Sequence, residues 1–199
     1  MAEWFYSRMQ DEETVASESP ETTAPGRGPA QLAVLCLIGV ISMLFAGFAS
    51  AYLVRRVGTD WQPVLLPQLL WFNTAVLLVS SLTLGHAQRA QRKFASAAAT
   101  PWLAITALLG LVFLGGQIVA WRQLAAEGFY LPGNPYNSFF YVLTAAHGLH
   151  VLGGVAALLY VLVRAFRVNL NFDLLHGCAT YWHFLGGLWV ALFALLLFF

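Results

Sequence analysis

Residues 136–154 read YNSFFYVLTAAHGLHVLGG. His147 and His150 stand one helical turn apart in a run that is otherwise apolar, aromatic or small. Two imidazoles at that spacing can ligate a metal, ligate a haem, or hold a helix bundle together by hydrogen bonds. The solvent around this run decides how much each reading costs, so the rest of the chain is read outward from it.

Of the 199 residues, 59% are hydrophobic and only 10% charged, with a mean hydropathy of +0.70. A chain with so little charge has the bilayer as its natural solvent. The formal net charge of +1 lacks the basic excess of a nucleic-acid binder. Cys36 and Cys178 lie far apart, each in an apolar run, and read as small buried hydrophobes. Six of the nine acids (Glu3, Asp11, Glu12, Glu13, Glu18 and Glu21) fall in the first 21 residues. That acidic, Ser/Thr/Pro-rich piece, residues 1–30, is expected to be a mobile tail and lacks the apolar core of a signal peptide.

Five uncharged apolar runs follow, at about 32–54, 64–86, 101–121, 137–163 and 174–199. Each is long enough to cross a hydrocarbon core of about 30 Å. In lipid the backbone must be satisfied within each run, so all five are helices, and residues 31–199 form one all-α polytopic domain. Thr100-Pro101 has the residue types of an N-cap and first-turn pair for the third helix. Trp61, Trp102 and Trp121 fall at span ends, where indoles favour the interface. Arg8, Arg27, Arg89, Arg92, Lys93, Arg164 and Arg167 lie on one side, Arg55, Arg56 and Arg122 on the other. That asymmetry predicts a cytoplasmic N-terminus and an external C-terminus.

No span carries an Asp, Glu, Lys or Arg away from its ends, which argues against a proton path or a carrier within this chain. The embedded polar groups are milder. Asn73, Ser80 and Ser81 share a face of the second helix. Gln117 lies in the third, Thr144, His147 and His150 in the fourth, Tyr181 and His183 in the fifth. Gly115-Gly116, Gly153-Gly154, Gly186-Gly187 and the Gly47/Ser50/Ala51 group would let helices approach closely, with polar side chains bonding across the contact. A haem between His150 and His183 also fits by height, since the two lie within roughly 6 Å of one depth. A metal on His147 and His150 lacks a third ligand of the usual kind.

Four stretches in order, NTAVLLVSSLTLGHA (73–87), LGLVFLGGQIVAW (109–121), NSFFYVLTAAHGLHVLGG (137–154) and YWHFLGGLWVALF (181–193), resemble subunit III of the haem-copper terminal oxidases (cytochrome c oxidase subunit 3). The first span, MLFAGFASAYLVRR, is similar as well. The resemblance implies a five-helix bundle lacking the first two helices of the seven-helix form, in a bacterial plasma membrane. It implies a non-catalytic subunit of a respiratory oxidase, with no redox centre of its own, that supports assembly and stability of the catalytic subunit I, beside subunit II. Haem and copper would lie in those partners, with phospholipid in grooves of helices one and two. It casts Asn73, Ser80, Ser81, Gln117, Trp121, His147, His150, Tyr181, Trp182, His183 and Trp189 as bundle-organising residues, the histidines bonding across helices. Where many family members have carboxylates, this chain has Ile41, His176 and Gly186. The same fold serves an accessory subunit of nitric oxide reductases, and that alternative stays open beside a small b-type cytochrome.

Overall fold

The computed structural model describes residues 29–62, 64, 66–93, 96–130, 134–167 and 172–198. The acidic tail, apart from residues 29 and 30, and Phe199 lie outside them. The described residues form five helices: α1 (Pro29–Arg55), α2 (Leu69–Lys93), α3 (Ser96–Ala126), α4 (Pro135–Arg167) and α5 (Phe172–Phe198). All five are long and apolar enough to cross a membrane.

Helix boundaries depart from the hydropathy reading where chain chemistry intervenes. α2 starts at Leu69, not at 64, because Pro67 interrupts the run. Its carbonyl instead accepts the Leu70 N–H at 3.0 Å in the opening turn. α3 runs through the expected Thr100-Pro101 start and begins at Ser96, with Pro101 inside the helix. An alanine-rich approach, Ala97 to Ala99, is strongly helix-forming and tolerates the single backbone bond that Pro101 forgoes. The kind of cap expected of Thr100-Pro101 on α3 is found on α4, at Asn134-Pro135. There the Asn134 Oδ1 accepts the Tyr136 N–H at 3.0 Å, and proline takes the first helical position. α3 ends on Gly128, whose φ of 87° only glycine adopts readily. Phe129 N–H to Leu124 O at 3.0 Å and Gly128 N–H to Ala125 O at 3.1 Å complete a Schellman stop.

α2, α3, α4 and α5 pack in sequence, and α5 closes back on α2. α1 stands outside this ring against α5 and α4, with no close backbone approach to α2 or α3 among the described residues. The connection after α1 is pinned to the start of α4 instead: Asn134 Nδ2 donates to Gln62 O, and Trp61 packs on Tyr52, Tyr136 and Phe139, 5.0 Å from Tyr52.

Burial is sorted as a membrane bundle requires. Leu108, Leu149, Val40 and Met43 face outward, from 61% exposed at Leu108 to 79% at Met43. Asn73, Ser80, Thr106, Gln117, Asn137, Thr144 and His147 are buried. Each glycine pair divides its work. A methyl on Gly116 would overlap the Asn73 amide, one on Gly154 would lie 3.0 Å from the Trp182 ring, and one on Gly186 3.1 Å from Ser81 Oγ. Their partners Gly115, Gly153 and Gly187 face open space. Gly47, with Ser50 and Ala51, does not join a close helix contact as expected; it lines a cavity toward the Arg55 end of α1. Cys36 is exposed, not buried, and Cys178 is half-buried. The fully buried side chains of α1, among the described residues, are Ile41, Phe45 and Tyr52.

Gly110 faces Trp182 and Val155, where an added Cβ would come within 2.7 Å and 2.9 Å. Gly110→Val and Gly116→Ala should each destabilise the subunit by about 1–3 kcal/mol through overpacking. Gly115→Ala should be neutral or mildly stabilising. Thermal unfolding of the detergent-solubilised complex checks the contrast, and equal losses at 115 and 116 would contradict this packing.

Candidate functional site

Three tryptophans of the bundle repeat one device. Trp182 Nε1–H donates to Ser80 Oγ at 3.0 Å, and the Ser80 hydroxyl donates back to Leu77 O at 2.7 Å. Trp189 Nε1–H donates to Thr74 Oγ1 at 3.0 Å, and Thr74 donates to Leu70 O at 2.8 Å. Trp121 Nε1–H donates to Thr144 Oγ1 at 3.0 Å, and Thr144 donates to Phe140 O at 2.6 Å. The hydroxyl proton goes into its own helix, and the oxygen lone pair receives the indole of the neighbouring helix. Trp182 and Trp189, seven residues or two turns apart, thereby fasten α5 to α2 at two depths. Trp121 fastens α3 to α4, its ring turned to Thr144 rather than serving only as an interface anchor.

Smaller bonds close the remaining seams. The Thr83 and Thr106 hydroxyls lie 2.8 Å apart between α2 and α3, and Asn73 Nδ2 reaches Phe113 O at 3.5 Å. Tyr136 OH donates to Leu196 O at 3.1 Å and Tyr181 OH to His150 O at 3.3 Å, both between α4 and α5.

The histidines do not bond across helices as expected. His150 Nδ1 lies 2.7 Å from Ala146 O of its own helix, which takes the Nδ1–H, and its ring packs on Phe45 of α1 at 5.7 Å. His147 is buried among rings: Trp189 at 5.1 Å, Phe113 at 5.9 Å and Phe45 at 6.5 Å. Neither of its nitrogens reaches a partner among the described residues, and the same holds for the Gln117 amide. His183 is exposed and lines a cavity between α2 and α5. Tyr181 points to α4, and two residues on is about 200° around the helix. His150 and His183 thus face α1 and α2 respectively and do not frame a common haem site. Among the described residues no group of three His, Cys, Asp or Glu converges for a metal.

Ser81 is only half-buried and meets Gly186, its Oγ 3.1 Å from where a Cβ would stand. Ile41 is buried, and His176 lines the α2–α5 cavity. The polar partners Thr74 and Thr144 matter as much as the tryptophans. Their signal in the sequence is only that a hydroxyl interrupts an apolar run.

Sequence comparison gives the family of this five-helix chain. A family model described as Cytochrome c oxidase subunit III aligns with residues 8–199. The chain belongs to that family. A probable cytochrome c oxidase subunit 3 of Mycobacterium tuberculosis (strain H37Rv) is 34% identical over 166 residues, covering 78% of this chain and 81% of the relative. Cytochrome c oxidase subunit 3 of Thermostichus vulcanus is 35% identical over 166 residues, 78% of this chain and 80% of the relative. Cytochrome bo(3) ubiquinol oxidase subunit 3 of Pseudomonas aeruginosa is 36% identical over 124 residues, 61% of this chain and 59% of that relative. This chain is accordingly subunit III of a haem-copper oxidase, a multi-pass membrane component of an oxidase complex.

Outside the membrane, Arg55 pairs with Asp60 at 2.5 Å. The Arg55 guanidinium donates to Asp60 and holds its carboxyl below the usual carboxylate range. A lowered folded pKa means that the pair's contribution is present above the ordinary carboxylate pKa and is lost as pH falls through the lowered one. Both side chains are well exposed, so Asp60→Asn should leave the melting temperature nearly unchanged at neutral pH. For the buried clamp, a Trp189→Phe and Thr74→Ala double-mutant cycle should give a coupling on the order of 0.6 kcal/mol. Additive single effects would mean that the clamp contributes nothing.

Proposed function

We propose that this subunit III is a non-catalytic support of its oxidase. It would pack beside the catalytic subunit I, with subunit II in the same assembly, and leave haem and copper to those partners. The observation that carries this reading is the use made of the embedded polar groups. The Trp121, Trp182 and Trp189 indoles, the hydroxyls that receive them, and the Tyr136 and Tyr181 phenols bond neighbouring helices or their own carbonyls, so their chemistry goes into rigidity. No carboxylate or ammonium stands mid-span to relay protons. The membrane is taken as a bacterial plasma membrane, with the arginine-rich connections cytoplasmic and the C-terminus outside.

Phospholipid would support the assembly from an apolar groove of about 360 Å³ where α1 leans on α4 and α5. Val34, Leu37, Gly153, Ala157, Tyr160 and Tyr181 are among its walls. Its α1 wall belongs to one of the two helices whose grooves were expected to hold lipid.

The test is to tag the C-terminus, purify the complex in mild detergent and record the redox difference spectrum. Haem should arrive only with a large catalytic subunit and leave with it on dissociation. A haem band retained by the isolated chain would overturn the reading. His150→Leu should leave the oxidase spectrum unchanged while loosening α1, because its ring packs on Phe45 and its bond is local.

A further inference from the structure

Two side chains in the interior of the bundle carry polar atoms that no described residue meets. Gln117 of α3 is 2% exposed and His147 of α4 is fully buried. Both polar atoms of the Gln117 amide and both nitrogens of the His147 ring lack a hydrogen-bond partner among the described residues. Other unpaired buried atoms, on Tyr52, Trp61, Gln91 and Asn137, stand within about a turn of a span end or in a connection, where water is near. Gln117 and His147 are different. They lie about 13 Å in from Ala126 and about 18 Å in from Pro135, the nearer ends of their spans.

Contacts on either side fix where these two stand. One turn before Gln117 the Phe113 ring meets His147 at 5.9 Å, and one turn after it Trp121 Nε1 donates to Thr144 Oγ1 at 3.0 Å. Thr144 and His147 are themselves one turn apart on α4. Gln117 is therefore bracketed by two α3–α4 contacts, each about 6 Å away along the axis. Positions 113, 117 and 121 step round α3 by only about 40° at a time, so all three leave the helix on its α4 side. Rings enclose the place. Phe113 and Trp189 lie 5.0 Å apart, Trp189 is 5.1 Å from His147, and Phe45 of α1 shields His147 at 6.5 Å. Neither Gln117 nor His147 lines the cavities beside α1 or the one between α2 and α5.

We propose that Gln117 and His147 together bind an internal water molecule at the α3–α4 contact. A neutral imidazole offers one N–H donor and one bare nitrogen, and the amide offers an NH₂ donor and a carbonyl acceptor. Water has two hydrogens and two lone pairs, so one molecule accepts the Gln117 Nε2–H and donates to the bare ring nitrogen. Buried polar groups left over by the protein are met by ordered water in this way. The competing arrangements do less. A direct amide–imidazole bond satisfies two of the four atoms, and an apolar occupant satisfies none. A hard cation needs several oxygen ligands, and these two side chains supply a single carbonyl oxygen. The water site stands on this chain's own residues, so its failure would leave the supporting role of the subunit untouched.

The experiment uses the whole oxidase complex carrying wild-type chain, Q117L, H147F or Q117L/H147F. Cryo-electron microscopy of the wild type, at a resolution that shows ordered water, should place density within hydrogen-bond distance of both the Gln117 amide and the His147 ring. The same density should be missing from Q117L/H147F. The dissociation temperature of this subunit should fall in each single variant, because each leaves the other side chain and the water incompletely paired. It should stand higher in the double variant than in either single one, since no polar group is then left to satisfy. Two results would overturn the proposal: a direct Gln117–His147 bond with no density between them, or single losses that simply add in the double variant. The wild-type map decides by itself where a variant fails to assemble.

Discussion

An indole N–H buried in a membrane bundle has no water to bond, and that constraint organises this subunit. Leaving such a donor unpaired costs about 1–3 kcal/mol, so each tryptophan turned inward requires an acceptor at its own depth. In this bundle the acceptors are hydroxyls on the facing helix. Ser80, Thr74 and Thr144 meet the need because each sends its proton into its own helix. A bilayer-exposed helix surface cannot drive association by the hydrophobic effect, so these directed bonds and close packing carry specificity.

The glycines complete the same arrangement. Trp182 reaches Ser80 only because its broad ring lies against Gly110 and Gly154, where any side chain would intrude. Gly116 similarly admits the Asn73 amide. The ring α2-α3-α4-α5 is thus held at several depths, while α1 rests on it through a few aromatic and aliphatic side chains. A strongly tied ring and a lightly attached first helix leave grooves on both sides of α1, one apolar and one, near Arg55 and Asp60, polar-rimmed.

The histidines show why composition alone misassigns roles. His147 and His150 share a turn, yet one is enclosed by Phe45, Phe113 and Trp189 while the other bonds its own backbone. Their neighbours come from three other helices, at sequence distances no local pattern reports. His183 shares a motif with Trp182 and faces outward to the α2–α5 cavity for a geometric reason: adjacent helical residues point about 100° apart.

Hydropathy and length by themselves determined five helices, the all-α class and the lipid-facing surface, because a bilayer imposes a single rule on every spanning segment. The order of motifs 73–87, 109–121, 137–154 and 181–193 likewise carried the family. Helix ends were legible only in part: Xaa-Pro reads alike at Thr100-Pro101 and Asn134-Pro135, and which one caps depends on the chain before it. What tertiary structure alone decided is pairing: which hydroxyl receives which indole, which glycine of each pair is packed, and that α1 avoids α2. Those choices rest on rotational phase and helix order in space, and a one-dimensional apolar run contains neither.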